Sequence, residues 1–379
     1  MSIRVGIIAE FNPFHNGHKY LIEQAKKYIK NHDGGEIVCV MSEYFTQRGE
    51  AAIVDGYSRA EEAVKNGCDM VVALPYVASV AFGDDFAEKS VEILVKMGIT
   101  HLIFGTEETN MEKFSVLYNK QQKKDIKLKY KELLKQGYSH AKINSLLFDI
   151  DKNVPNFILA YSYYKALKKQ APNVKLIPIK RQGQNLNDSN LEKTKFLSAT
   201  TLRKNIYKKE IENYLSAEML EKLRNKKNIY LEDFYSFITY QINILGKIGL
   251  SNVYDINEGL ENRIFNATQI SKTYKNLIEN IATKRYSNKK IQRNLLHILT
   301  NTTKEDYKKY FGTKVFRVLA IKKEKTHLIK EINNKKEIML VTALNSKNAQ
   351  YFEHDIKISR LYNLVAEDKD IFKKPVVII

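Results

Sequence analysis

Tryptophan is absent from the 379 residues, and cysteine occurs only at Cys39 and Cys68. Both cysteines stand in apolar, strand-like surroundings (IVCVM and GCDMVV) outside any CxxC or Cys/His cluster. That setting favours buried free thiols over a disulfide or a zinc site. No stretch reaches the ~18 consecutive apolar residues of a membrane span, and a strand pattern begins at once with no secretory leader, so a cytoplasmic protein without membrane contact is expected. Internal repeats and low-complexity linkers are missing too. Acidic residues are in short supply: 43 Asp and Glu face 62 Lys and Arg, a formal net charge of +19. Such an excess suits a polyanionic partner, because each neutralised phosphate releases counterions, although a Lys-, Asn- and Ile-rich composition has the same effect on charge.

What is present is a folded composition, 44% hydrophobic and 11% aromatic, in a chain long enough for two or three domains. Val5, Ile7 and Ile8 form a short run of β-formers that stops at Asn12-Pro13, and Leu21, Ile22, Ala25 and Ile29 then recur at helical spacing. A second buried strand, EIVCVM at residues 36–41, completes a βαβ unit and calls for a parallel sheet. After a polar loop over residues 42–53, the spacing predicts a helix at 58–66, strands at 70–74 and 101–104, a helix at 85–97 between them, and a fifth strand at 174–179. Residues 119–135 are lysine-dense without strand character, and the apolar run after Pro155-Asn156 reads as a helix. The expected fold is α/β, a Rossmann-like parallel sheet, with ligands at the carboxyl ends of the strands.

From about residue 205 lysines alternate with helix formers, predicting helices at 210–226, 231–245, 259–266, 271–281 and 288–299. Strands at 316–321 and 337–342 would make a small α+β end piece. The expected division is a catalytic domain over residues 1–205 and a mainly helical, basic region over 206–379. Within the latter, TKRYSNKKIQR at residues 283–293 is the densest basic segment with an interleaved aromatic, which makes Lys284, Arg285, Lys289 and Lys290 the candidate RNA contacts.

The sharpest chemical signal is HNGH, His15 to His18, between the first strand and its helix. Two imidazoles beside a helix start suit the phosphates of a nucleotide, and Gly17 would let the nucleotide approach the backbone. Donors placed in advance stabilise the charge that grows on phosphate oxygens and leaving pyrophosphate as the α-phosphorus is attacked. No further ligand set is visible to turn the pair into a metal site. Ser198-Ala-Thr-Thr-Leu-Arg203 opens another helix, and Lys180 and Arg181 leave the end of the fifth strand.

HNGH resembles the HxGH signature of the nucleotidylyltransferase superfamily, and SATTLR resembles its second signature, with Ala199 in place of a hydroxyl residue and Leu202 in place of isoleucine. More narrowly, GIIAEFNPFHNGH, the stretch from Thr46 to Pro75, FGTE, Pro155-Asn156, IKR and EGLENR together resemble the bacterial tRNA(Met) cytidine acetate ligase family over nearly the whole chain. This resemblance implies that acetate is activated with ATP to acetyladenylate and that the acetyl group passes to N4 of the wobble cytidine of elongator tRNA(Met). It implies catalytic roles for His15 and His18. ATP would lie along Ile7, Ile8, Ala9, Glu10, Phe11, Asn12, Pro13, Phe14, His15, Asn16, Gly17, His18, Lys19 and Tyr20, with Gly105, Asn156, Arg181, Ser198, Thr200 and Arg203 adding contacts. Magnesium would accompany ATP as its counter-ion, with no protein-built metal site expected. Gln47, Arg48 and Glu50 sit where they could shape an acetate or cytidine pocket, Arg48 being the cation a desolvated carboxylate needs. A small-molecule nucleotidylyltransferase and a non-catalytic RNA-binding protein remain as alternative readings of the same fold.

Overall fold

The computed structural model describes residues 3–138, 140–148, 155–184, 191, 194–257, 259–366 and 374–379. Glu258, which opens the EGLENR motif, lies outside the described residues. The strands are β1 (Ile3–Ala9), β2 (Gly35–Ser42), β3 (Met70–Leu74), β4 (His101–Thr106), β5 (Lys175–Lys180), β6 (Val315–Ile321), β7 (Met339–Val341) and β8 (Val377–Ile378). They form one sheet in the order β5-β4-β1-β2-β3-β6-β7, with β8 also on β6. All pairs among β1 to β5 are parallel. β1 to β3 wind one way, and the chain then crosses to the other side of β1 to lay down β4 and β5. The reversal creates a crevice beyond the carboxyl ends of β1 and β4, where ligands of such sheets bind.

The strands are apolar on both sides because both faces are covered. Val5, Ile7, Cys39 and Met41 point into one core, and Val38, Val40, Met70 and Val72 into the other. Cys39 and Cys68 are buried free thiols. The expected helices form with shifted ends. A fresh N-cap at Ser216, which accepts from the Met219 amide, splits the helix expected at 210–226 into a 3-10 turn, Lys209–Tyr214, and a helix, Ala217–Asn225. The lysine-dense segment becomes two helices, Met111–Gln122 and Lys124–Lys135, the second with no buried residue.

The strands foreseen near the end of the chain form, and they join the main sheet: β6 runs antiparallel beside β3. Residues from the helical region, such as Ile238, Ile242 and Leu295, belong to the same core as Ile7 and Met41. The sheet and core therefore run across the expected division at residue 205. Among the described residues no helix is long and apolar enough to cross a membrane.

One side chain fastens the strand ends that carry the crevice. Arg59, in the helix Gly56–Lys65, is wholly buried. Its Nε donates to the Val54 carbonyl at 2.8 Å, Nη1 to the carbonyls of Glu10 at 2.5 Å and Ser42 at 2.9 Å, and Nη2 to that of Glu43. Truncation would strand four buried carbonyls, and hydrogen bonds to charged groups are worth more than neutral ones. Arg59→Leu should lower the free energy of unfolding by about 3–5 kcal/mol. Urea denaturation measures this, and a loss below about 1 kcal/mol would show that the strand ends hold without it.

Candidate active site

The loop after β1 is built around its two histidines. Phe11 has a left-handed backbone (φ 48°), and the Asn12–Pro13 peptide is cis. Asn12 ties the loop to its neighbour: Nδ2 donates to the Ala51 carbonyl at 3.0 Å, and Oδ1 accepts from the Ile53 amide at 2.9 Å. His15 is the N-cap of the helix Asn16–Lys30, its Nδ1 accepting from the Gly17 amide at 3.0 Å. The His15 amide in turn donates to Nδ1 of His18 at 3.3 Å. With both Nδ1 atoms accepting, each neutral ring carries its proton on Nε2, the donor it can offer a ligand.

The rings lie with centroids 3.9 Å apart, and Phe11 packs edge-on to His18 at 4.9 Å. Burial, reinforced by Arg181 and Arg203, pushes the His15 pKa down to about 3. Burial, then His15 and Arg181, pushes His18 well below its ordinary value. Both are therefore neutral at physiological pH. Gly17 is required by the histidine itself: a Cβ there would stand 2.8 Å from His15 Cε1.

Ser198 caps the helix Ala199–Lys204 by accepting from the Thr201 amide at 3.0 Å, and that helix delivers Arg203. Arg203 Nη1 donates to the Asn12 carbonyl at 2.7 Å, and Nη2 pairs with Glu50 Oε2 at 2.8 Å. Lys289 reaches the other Glu50 oxygen at 2.6 Å. Burial alone would raise the Glu50 pKa, but Arg203 and Lys289 outweigh it and hold the carboxyl below its ordinary value. Glu10 shows the opposite balance: burial raises its pKa despite the Gln47 amide and Arg48. Arg181, at the end of β5, has its pKa lowered by burial against the pull of Glu107.

These elements surround a cavity of about 980 Å³. Of the expected nucleotide contacts, Ile8, Ala9, Glu10, Phe11, Asn12, His15, Gly17, His18, Tyr20, Gly105, Asn156, Arg181, Thr200 and Arg203 line it, as do Gln47, Arg48 and Glu50. Ile7, Pro13, Phe14, Asn16, Lys19 and Ser198 do not. Ile7 and Phe14 are core residues, Pro13 is buried, Asn16 donates to the Asn213 carbonyl at 2.7 Å, Lys19 faces solvent and Ser198 is the buried cap. Among the candidate RNA contacts, Lys284 and Arg285 are exposed. Lys290 pairs with Asp255 at 2.6 Å, and Lys289 lies in the cavity wall. The basic segment thus borders the cavity through Ser287, Lys289 and Arg293. Among the described residues no three His, Cys, Asp or Glu side chains gather to hold a metal.

Two supporting residues were not singled out from sequence. Glu107 accepts from Asn156 Nδ2 at 2.6 Å and from the Phe157 amide at 2.9 Å, so it caps the helix Pro155–Gln170 and orients Asn156. Its signal was a carboxylate two residues beyond Gly105 at a strand's carboxyl end. Gln184 Oε1 accepts from the Ser198 amide at 3.1 Å and from Thr201 Oγ1 at 2.9 Å, an arrangement with no signature in sequence.

The cavity, its two neutral imidazoles and its arginines lie at the point where the parallel sheet reverses its winding, which is where such sheets take nucleotides. The HIGH Nucleotidyl Transferase family model matches residues 1–374. The tRNA(Met) cytidine acetate ligase of Staphylococcus aureus (strain MRSA252) is 32% identical over 378 residues, 98% of each chain. That of Caldanaerobacter subterraneus subsp. tengcongensis is 34% identical, over 97% of each chain. The chain belongs to the tRNA(Met) cytidine acetate ligase family. Its fold is that of Thermotoga maritima TmcAL, with a TM-score of 0.89 at 23% identity over 100% of this chain and 99% of that one in the apo form. The TM-score is 0.86 for the form bound with alpha-thio ATP.

A buried base whose pKa is lowered on folding binds fewer protons folded than unfolded, so stability falls as pH drops below the ordinary histidine value. His15 (about 3), His297 (about 4) and His354 (about 3) all act this way, while Asp355, raised to about 6 by burial, acts in the opposite sense below pH 6. Stability should therefore decline from pH 6.5 towards pH 4. His15→Gln should make that decline shallower by up to one proton, about 1.4 kcal/mol per pH unit. Urea titrations at stepped pH measure it, and an unchanged slope would mean that His15 titrates normally in the folded protein.

Proposed function

We propose that this protein is an ATP-dependent, carbon–nitrogen bond-forming ligase that activates acetate as acetyladenylate and acetylates N4 of the wobble cytidine, C34, of elongator tRNA(Met), working in the cytoplasm. The observation that carries this reading is the juxtaposition of two neutral, pre-oriented imidazoles with a basic segment at the border of the same cavity. In the first step an acetate oxygen attacks the α-phosphorus of ATP, which enters with Mg²⁺ as its counter-ion, and pyrophosphate leaves. The Nε2–H groups of His15 and His18 donate to oxygens whose charge grows as the bond to pyrophosphate breaks. A neutral imidazole still donates through its Nε2–H, and its neutrality spares the enzyme the cost of burying a cation beside Arg181. Arg203 and Thr200 serve the far end of the triphosphate, with Ser198 as the cap that aims their helix. Asn156 and Arg181 contact the nucleotide, and Gly105 admits it close to the strand. Arg48 is the acetate's counter-charge. In the second step the N4 lone pair attacks the acetyl carbon, AMP departs as leaving group, and the amine proton is released.

The supporting relatives are those named tRNA(Met) cytidine acetate ligase, which align over essentially the whole chain. Acetate-dependent exchange of pyrophosphate into ATP without RNA isolates the first step. His18→Ala should slow it about 10²- to 10³-fold, as loss of a transition-state donor does, with tRNA affinity unchanged. Loss of both together would assign the histidine a structural role. Lys284→Glu with Arg285→Glu should weaken tRNA binding about tenfold or more and flatten its salt dependence while sparing exchange. Unchanged binding would move the RNA surface elsewhere.

A further inference from the structure

One wall of the cavity presents side chains that neither step uses. It is built by the helices Gly83–Lys96, Lys124–Lys135 and Pro155–Gln170, and it presents Phe82, Asp84, Tyr130, Tyr161, Ser162 and Lys165. Asp84 is held at both oxygens, accepting from Ser162 Oγ at 2.5 Å and pairing with Lys165 Nζ at 2.6 Å. The ammonium of Lys165 lies 5.2 Å from the centre of the Tyr161 ring. Burial pushes the Tyr130 phenol up to about 12 and raises Tyr161 as well, and the Asp84 charge adds to both. Phe82, just before the helix Gly83–Lys96, is 44% exposed at the same wall.

The wall is physically joined to the histidine loop. The Gln47 amide donates to Glu10 Oε1 at 2.6 Å, and its side-chain Nε2 donates to the Ala81 carbonyl at 3.2 Å, one residue before Phe82. The cavity's volume, about 980 Å³, is at the upper end of the ~300–1,000 Å³ usual for one small molecule, so a nucleotide need not fill it.

We propose that this wall is the acceptor-base site, taking a cytosine turned out of a single-stranded loop, with Phe82 as its stacking face and Asp84 with Lys165 reading its edge. This rests on the function proposed above. A cytosine edge offers an amino donor beside ring-nitrogen and carbonyl acceptors, which matches a carboxylate beside an ammonium. Uracil sets a carbonyl oxygen where cytosine has the amine and would turn it against the Asp84 carboxylate. An extruded base is read in this way, by hydrogen bonds to its pairing edge and by aromatic contact with its faces. Asp84 is thus a specificity-determining residue, and Ser162 and Lys165 fix its orientation.

The test uses the full-length protein with two anticodon stem–loop RNAs that differ only in C or U at the wobble position, and it measures binding alongside acetate-dependent pyrophosphate exchange. The wild type should favour the C form about tenfold or more. Asp84→Asn should erase that preference, because the amide can donate to uracil's carbonyl as well as accept from cytosine. Phe82→Ala should weaken both RNAs about tenfold and leave the preference in place. Exchange should stay within about twofold of wild type in both variants, which also shows that they fold. A preference kept by Asp84→Asn would overturn the assignment, and so would exchange falling in step with RNA binding, which would give the wall to ATP. Exchange by the wild type without any C-over-U preference would sink this inference and leave adenylation standing. A C preference without exchange would do the reverse.

Discussion

The crevice depends on a buried guanidinium. β1 and β2 end side by side, and the carbonyls at their ends have no further strand residues to bond. Arg59 satisfies those of Glu10, Ser42 and Glu43 and adds that of Val54 from the following loop. Burying an arginine costs heavily unless every donor finds an acceptor, and here the acceptors are backbone groups that would otherwise be stranded themselves. The result is a rigid floor. Glu10 follows directly on β1, the histidine loop follows Glu10, and the loop that carries Gln47, Arg48 and Glu50 follows Glu43. Three pieces of the candidate site thus take their position from one side chain that does not line the cavity.

A second constraint is electrostatic. The chain carries a formal net charge of +19, and its cavity already contains Arg48, Arg181 and Arg203. Protonated histidines among them would repel both one another and the arginines. The loop avoids this by using each Nδ1 as an acceptor for a backbone amide, which fixes the tautomer while burial keeps the rings neutral. Glu50 plays the complementary part, binding Arg203 from one helix and Lys289 from another. That bridge joins residues on the two sides of position 205 at the edge of the site, so the basic segment foreseen as RNA-binding also contributes to the cavity itself.

The local parts of this architecture were legible in the sequence, and the non-local parts were not. β1 to β5 and the histidine loop read directly, because apolar runs, Asn-Pro and helical spacing are short-range signals. The pairing of β6 with β3 was not readable, since its partners are some 250 residues apart in the chain and nothing local specifies an antiparallel neighbour for β3. At the site the stretch from Ile7 to Tyr20 was foreseen as continuous nucleotide contact. Instead the strand's alternation turns Ile7 into the core, the helix turns Lys19 out to solvent, and the loop between them packs Phe14 inward against Phe11 and His18. Lys289 was foreseen as an RNA contact in the basic segment; its pairing with Glu50 and its place in the cavity wall could not be read, because Glu50 lies in another element. Arg59 had a signal that went unused: a charge on the otherwise apolar helix face of Ala60, Ala63 and Val64, all of them buried.

In the proposed reaction one cavity joins acetate to the adenylate of ATP and delivers the acetyl group to a tRNA base. Incubating the purified protein with ¹⁴C-acetate, ATP and unmodified elongator tRNA(Met), then digesting the RNA to nucleosides, tests it most directly. Label is expected in N4-acetylcytidine from position 34 alone, dependent on ATP and accompanied by AMP. An acetate-independent AMP yield with no labelled nucleoside would contradict it.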